Sequence, residues 1–185
     1  MNCHYNKDIR YNYVVVQQRK QLRLKRWDYG QGWYFVTICV KSRKCVLGEV
    51  QKNIVVLSQS GNIVEKCLRS LPMRYTSIAI PDYVIMPNHV HLVVAIKQMK
   101  EVGTIHELSL QKNMRTHMPL ANVVGYLKMQ TAKDINIIHG TQGKPFWQRS
   151  YYEHIIRDEN DYQEITSYIQ DNPRTWYEDS MYQPL

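Results

Sequence analysis

Two stretches of the chain are apolar at almost every position, which is typical of strands buried on both faces of a sheet. They read W-Y-F-V-T-I-C-V at residues 33–40 and H-V-H-L-V-V-A-I at residues 89–96. A third apolar stretch, at 77–86, comes just before the second, and the turn-forming pair P-N separates the two. We therefore expect these two to form a hairpin, and S-Y-Y-E-H-I-I-R at 150–157 predicts a fourth strand.

Three other segments repeat their apolar residues with the period of a helix. The first begins at Ser60, and we expect it to end at Pro72, which cannot continue a helix. The second covers 120–135, and the third runs from a capping residue, Asn160, to Pro173. The order of elements is therefore strand, helix, two strands, helix, strand and a final helix.

This order predicts an α+β fold, the ferredoxin-like β-α-β-β-α-β sandwich, with one helix added at the C-terminus. Its sheet is antiparallel with helices on one face, and its first and third strands are central. Residues 1–30 form a basic N-terminal extension, and 31–185 form a single domain with a loop insertion at 97–118.

The charge of the chain favours a polyanionic partner. It has 24 Lys and Arg against 16 Asp and Glu, a formal charge of +8 and a pI of about 9.3. Cations are dense between residues 19 and 27, where a solvated arm and a DNA contact are both consistent with the sequence. The candidate DNA-binding residues are Arg19, Lys20, Arg23, Lys25, Arg26 and Trp27.

The four cysteines show neither a C-x-x-C pair nor a zinc-ribbon spacing, so we expect reduced thiols. The N-terminus lacks the apolar core of a signal peptide, and no run approaches the ~18 apolar residues of a membrane span. We therefore expect a cytoplasmic protein that has no membrane partner.

Two histidines flank one valine at the start of the strand at 89–96. Side chains alternate across a strand, so His89 and His91 point to one face while Val90 points to the other. Two imidazoles at this spacing can bind one metal ion. A pair of structural histidines fits the same spacing, so the motif alone leaves both interpretations open.

The last predicted helix carries a polar stripe at i, i+4 and i+8, formed by Glu164, Tyr168 and Asn172. It lies beside the apolar stripe that would anchor the helix. Tyr168 could project toward a site, and Asn172, one turn on, could supply an oxygen ligand. An ordinary aromatic residue at the margin of a packed helix is the alternative.

H-V-H matches the His-hydrophobic-His signature of the HUH nucleases, and Y-V-I-M-P-N-H-V-H-L-V-V resembles the signature strand pair of the single-tyrosine transposases. More specifically, the chain resembles REP-associated tyrosine transposases and their relatives in bacterial insertion sequences. The resemblance runs from about Arg23 to Tyr182, interrupted at 97–118. Its further segments are W-Y-F-V-T-I-C-V-K-S-R-K-C-V-L-G-E-V, L-A-N-V-V-G-Y-L-K, F-W-Q-R-S-Y-Y-E-H-I-I-R-D-E and Y-I-Q-D-N-P.

The resemblance implies that His89 and His91 bind a divalent metal ion, Mg²⁺ or Mn²⁺, and that Tyr168 is the nucleophile. Some relatives have a metal-binding glutamine four residues after this tyrosine. Here that position is Asn172, so the third ligand stays open. The family also implies a homodimer that cleaves and rejoins hairpin-bearing single-stranded DNA through a 5′-phosphotyrosine, and in which the tyrosine helix of one subunit can complete the site of the other. It further implies that the hairpins are recognised by shape and by a few unpaired bases.

Two other functions fit the sequence. A ferredoxin-like sheet also occurs in non-catalytic nucleic-acid-binding modules, in which the histidines would pack or stack. A metal-dependent hydrolase of a small substrate would need a third strong ligand, for which Glu153 and Glu164 are candidates.

Overall fold

The computed structural model describes residues 32–97 and 119–182. The predicted basic extension, with its candidate DNA contacts from Arg19 to Trp27, lies outside the described residues. The predicted loop insertion at 97–118 also lies outside the described residues, except for Lys97. Within the described residues, no helix combines the length and apolar character that crossing a membrane requires.

Seven strands and three α-helices make up the described part of the chain, and two short 3₁₀ turns, at Lys41–Arg43 and Trp176–Glu178, accompany them. In chain order the elements are β1 (Gly32–Cys39), β2 (Gly48–Gln51), β3 (Ile54–Leu57), α1 (Gln59–Arg74), β4 (Ile78–Ala79), β5 (Tyr83–Ile85), β6 (His89–Ile96), α2 (Pro119–Ile138), β7 (Tyr152–Ile156) and α3 (Glu159–Asp171).

The main sheet is antiparallel and has the order β4-β6-β1-β7. β5 also pairs with β6, so β4 and β5 are two pieces of one edge strand. β1 and β6 are therefore central, as their apolar patterns predict. The α+β prediction and its strand order are confirmed.

The sheet separates two hydrophobic clusters of unequal size. The larger one joins Val90, Leu92 and Val94 of β6 to α1 and α2. The smaller one, on the opposite face, consists of Phe35, Val93, Ile165 and Ile169 and joins the sheet to α3. Because Val93 shares its face with the two histidines of β6, α3 covers the histidine face.

Pro72 does not end α1, which continues to Arg74. Proline lacks the amide hydrogen that would bond to Leu68, yet it lies in the last turn, where only one such bond is lost. The amide of Tyr75 still donates to the carbonyl oxygen of Leu71 and closes the helix.

Other features also differ from the prediction. The edge strand predicted at 77–86 is interrupted at 80–82, where Pro81 cannot donate to the ladder. The cap of α3 is Asp158, whose side chain accepts from the amide of Asp161, rather than Asn160. The sequence analysis also missed the hairpin of β2 and β3, which turns through Lys52 and Asn53 at positive φ.

Candidate active site

His89 lies at the start of β6 and is fully buried. Its Nδ1 is 2.7 Å from Oδ1 of Asn88, while Nδ2 of Asn88 donates to the carbonyl oxygen of Met181 at 2.8 Å. Since Asn88 presents its oxygen to the ring, Nδ1 of His89 carries the proton. The lone pair of His89 is therefore on Nε2, and no described group hydrogen-bonds to that atom.

His91 lies opposite Thr37 of β1 and contacts both that residue and α3. Its Nδ1 is 2.8 Å from Oγ1 of Thr37, and its Nε2 is 3.3 Å from the hydroxyl oxygen of Tyr168. In the tautomer with the proton on Nδ1, His91 donates to Thr37 and accepts from Tyr168. The contact with Thr37 thereby orients the His91 ring on its Nδ1 side.

Burial keeps both imidazoles neutral. Burial lowers the pKa of His91 to about 3. It also lowers the pKa of His89 well below its ordinary value, and the nearby His91 and Arg43 contribute to this second shift. The two ring centroids are only 4.4 Å apart. Neutral imidazole is the form that binds metal ions, so this pair is prepared for a cation.

Helix α3 places Tyr168 over the histidine pair. Ile165 and Ile169 are buried against the sheet, and the hydroxyl of Tyr162 donates to Asp82 at 2.6 Å, which ties the helix to the segment between β4 and β5. The Tyr168 ring lies 5.2 Å from the ring of His91 in the same chain. Of the polar stripe of the sequence, Tyr168 therefore faces the histidines, whereas Glu164 is exposed.

Asn172 is the residue directly after α3, and it is almost fully buried. Its Nδ2 is 3.5 Å from Asp179, and among the described groups none bonds to its Oδ1. A buried polar atom without a partner costs about 1–3 kcal/mol, so Oδ1 of Asn172 and Nε2 of His89 point to a ligand.

Imidazole nitrogens and an amide oxygen are donors of the kind that divalent ions accept, and a set of two imidazoles and one amide would suit Mn²⁺ better than Mg²⁺. The part of the chain that the structure describes contains no cluster of three or more His, Cys, Asp or Glu side chains that could hold a metal ion.

The two glutamates proposed for a hydrolase do not join the histidines. Glu153 pairs with Val36, so its side chain points to the α1/α2 face of the sheet. Glu164 is exposed on α3. The hydrolase prediction thus lacks the third ligand that it requires among the described residues.

The residues that hold the histidine rings, Thr37 and Asn88, were missed by the sequence analysis. Asn88 precedes the first histidine directly, but it was interpreted only as a turn residue. Thr37 is brought to His91 by the register of β1 with β6, which a sequence without a pairing partner does not reveal.

No family model matches the chain. Among solved structures, the chain is similar to a REP-associated tyrosine transposase that was solved bound to a REP hairpin. The TM-score is 0.56 and the sequence identity 18%, and the match covers 84% of this chain and 74% of the transposase chain. The described residues therefore have a transposase-like fold.

A sequence relative shows a family to which the chain belongs. Over 170 residues the chain is 33% identical to an uncharacterized protein of Haemophilus influenzae (strain Rd), covering 90% of this chain and 94% of that protein. The chain belongs to the same protein family as this Haemophilus influenzae protein.

Proposed function

We propose that the chain is a DNA transposase of the single-tyrosine type, which cleaves and rejoins single-stranded DNA with Tyr168 as nucleophile. The observation that carries the proposal is the 3.3 Å distance between the Tyr168 hydroxyl oxygen and Nε2 of His91. A phenol beside two neutral, buried imidazoles is an arrangement that packing alone does not require.

The comparisons and the charge of the chain support DNA as the substrate. The solved structure with the transposase-like fold is a complex with a REP hairpin. The chain itself carries a formal charge of +8, which favours binding to a phosphate backbone. We therefore propose hairpin-bearing single-stranded DNA as the partner.

In the proposed reaction the oxygen of Tyr168 attacks phosphorus in line with the leaving 3′ oxygen. The bond from phosphorus to that oxygen breaks, which leaves a 5′-phosphotyrosine and a 3′-hydroxyl on the cleaved strand. The phenolic proton is lost from Tyr168, and the leaving oxygen gains a proton. Rejoining reverses these steps with another 3′-hydroxyl, so the protein needs no nucleotide cofactor.

His89, His91 and Asn172 would hold a divalent ion, Mg²⁺ or Mn²⁺, which when bound supplies positive charge at the attacked phosphate. His91 has only one lone pair on Nε2, so binding an ion and accepting the Tyr168 hydrogen bond exclude each other. A bound ion would therefore leave the hydroxyl of Tyr168 without this acceptor and available to the substrate.

The test is to trap the adduct. Parent protein incubated with end-labelled hairpin DNA and Mn²⁺ should retain label after denaturation, and Tyr168→Phe should retain none. Tyr162→Phe, on the same helix, is the matched control and should keep the adduct because its hydroxyl contacts Asp82. An undiminished adduct in Tyr168→Phe would reject the proposed nucleophile.

A non-catalytic nucleic-acid-binding module is the second candidate. It is favoured by the absence, within the described residues, of a third His, Cys, Asp or Glu beside the histidine pair. Calorimetry with Mn²⁺ separates the two functions. Binding that His89→Ala abolishes supports the transposase, and no binding by the parent protein supports the module.

A further inference from the structure

Arg43 ends the short turn that follows β1, and its backbone has an uncommon conformation. Its φ angle is 51° and that of Ser42 is 58°, values that are unfavourable for residues with a side chain because Cβ crowds a carbonyl oxygen. The turn is nevertheless fixed, since the amide of Arg43 donates to Val40 at 3.0 Å and the amide of Val40 donates to Asn88 at 2.9 Å. Backbone strain of this kind clusters at functional sites.

The side chain of Arg43 is anchored beside the support of His89. Its Nη1 donates to the carbonyl oxygen of Ser180 at 3.2 Å, and the next carbonyl along the chain, that of Met181, accepts from Asn88. Asn88 is the residue that orients His89. The guanidinium of Arg43 and the amide of Asn88 therefore hold the same C-terminal turn.

The charge of Arg43 reaches three strands of the histidine face. Cys39 of β1 pairs with His89 of β6, and Tyr152 of β7 pairs with Thr37 of β1, so all four residues share this face. Burial raises the pKa of the Cys39 thiol to about 11 and also raises the pKa of Tyr152, and the guanidinium opposes both shifts. It adds to burial in lowering the pKa of His89. Arg43 therefore lies at the His89 end of the face.

Arg43 and Tyr168 approach the histidine pair from different ends. The hydroxyl of Tyr168 meets His91, whereas Arg43 follows the end of β1, whose last residue, Cys39, lies opposite His89. A phosphate at the histidine pair would thus have the attacking oxygen on one side and the guanidinium toward the other.

The guanidinium has donors to spare. It carries five N–H groups, and within the described part of the chain only Ser180 accepts from one of them. No described carboxylate forms an ion pair with Arg43, and Asp179, in the same turn as Ser180, accepts from the amide of Met181 instead. A half-buried cation without a described anionic partner points to an anionic ligand.

We propose that Arg43 binds the phosphate that Tyr168 attacks and stabilises the negative charge that develops there. This inference rests on the proposed function and adds to it a catalytic residue. Two parallel N–H groups of a guanidinium match two oxygens of one phosphate, and phosphates are the anions that the proposed substrate offers. A donor fixed before the reaction is most effective where charge increases in the transition state.

The experiment measures binding, so that it does not depend on the covalent step. Each chain carries Tyr168→Phe, and the buffer contains EDTA, so that no metal ion contributes. The probe is a hairpin DNA with a single-stranded tail in which one linkage at a time is a neutral methylphosphonate. With Arg43 present, we expect the neutral linkage to weaken binding about tenfold at the position where the parent protein forms its adduct.

The effect of this linkage should disappear with the guanidinium. In Arg43→Ala the same methylphosphonate should change the affinity by less than about twofold, because the contact is already lost. Lys44→Ala is the matched control, since it removes an exposed cation from the adjacent position, and it should retain the tenfold effect. An equal effect in Arg43→Ala and in the chain with Arg43, or an effect lost at another linkage, would overturn the proposal.

Two further measurements exclude a merely structural role. In the chain with Tyr168, Arg43→Ala should form the adduct about 100-fold more slowly. It should bind Mn²⁺ at least as tightly as the parent, because a positive charge near His89 is removed. Weaker Mn²⁺ binding would overturn the proposal, since it would show that Arg43 acts by holding the turn that supports Asn88.

The failure of this inference is distinguishable from the failure of the proposed function. If the parent protein forms the adduct and Arg43→Ala forms it at the same rate, only the role of Arg43 is rejected. If the effect of one linkage depends on Arg43 but no adduct forms, the phosphate contact stands and the nucleophile is rejected. If no DNA binds at all, both are rejected.

Discussion

At the scale of residues, the site depends on neighbours that orient two imidazole rings. Asn88 is itself oriented by Met181, and it leaves Nε2 of His89 as a bare lone pair in a buried position. The hydroxyl of Thr37 lies beside Nδ1 of His91 and orients that ring, while Nε2 of His91 faces the hydroxyl of Tyr168. Such partners behind metal-binding histidines commonly determine metal affinity.

The competition at Nε2 of His91 gives a distinctive prediction for the metal. Tyr168→Phe removes the hydrogen bond that an ion must displace, so we expect it to bind Mn²⁺ several-fold more tightly than the parent. The expected gain follows from a net hydrogen-bond contribution of about 1 kcal/mol. Calorimetry measures it, with Tyr162→Phe as the variant that should be unchanged. Weaker binding by Tyr168→Phe would indicate instead that the phenol itself is a ligand.

At the scale of elements, apolar pattern was enough to predict which strands are central and which helices pack. β1 and β6 are buried on both faces, and the nearly continuous run of apolar residues in each strand indicates this burial. The pattern could not predict the β2–β3 hairpin, because its turn through Lys52 and Asn53 lacks the Asn-Gly or Asp-Gly pair that usually marks such turns.

The sequence also could not show how closely α1 approaches the loop before β2. A Cβ atom added to Gly61 would lie 2.0 Å from the carbonyl oxygen of Leu47, which is backbone and cannot move aside. The glycine is therefore required by this contact and not by its own φ angle. Gly125 in α2, by contrast, has nothing within 4 Å of an added Cβ atom.

These two glycines make a matched pair for stability. We expect Gly61→Ala to lower the free energy of unfolding by about 3 kcal/mol or more, since it forces the helix away from Leu47. Gly125→Ala should raise it by about 0.5–1 kcal/mol, because alanine loses less backbone entropy in a helix. Urea denaturation gives both values. A Gly61→Ala variant as stable as the parent would show that α1 does not start where the structure places it.

At the scale of the whole molecule, the sequence resemblance proposed the histidines and the tyrosine, and the fold brings them together in one chain. Tyr168 is 77 positions from His91, and only the packing of α3 on the histidine face joins them. A homodimer remains a proposal, and so does the DNA contact of the basic arm at 19–27.

Because the tyrosine and the histidines meet within one chain, we expect two defective variants not to repair each other. Tyr168→Phe and His89→Ala, coexpressed and purified together, should form no DNA adduct above the level of the doubly substituted chain. The adduct assay with Mn²⁺ measures this. Recovery of adduct in the mixture would show that active sites are completed between subunits.

The most direct test of the central claim is to find which atom of the protein carries the DNA. Tryptic digestion of the trapped adduct yields a peptide at 158–174 that contains both Tyr162 and Tyr168, so each adduct carries its own internal control. We expect mass spectrometry to locate a nucleotide, joined through its 5′ phosphate, on Tyr168 and none on Tyr162. A nucleotide on Tyr162, or on any peptide outside this range, would contradict the account.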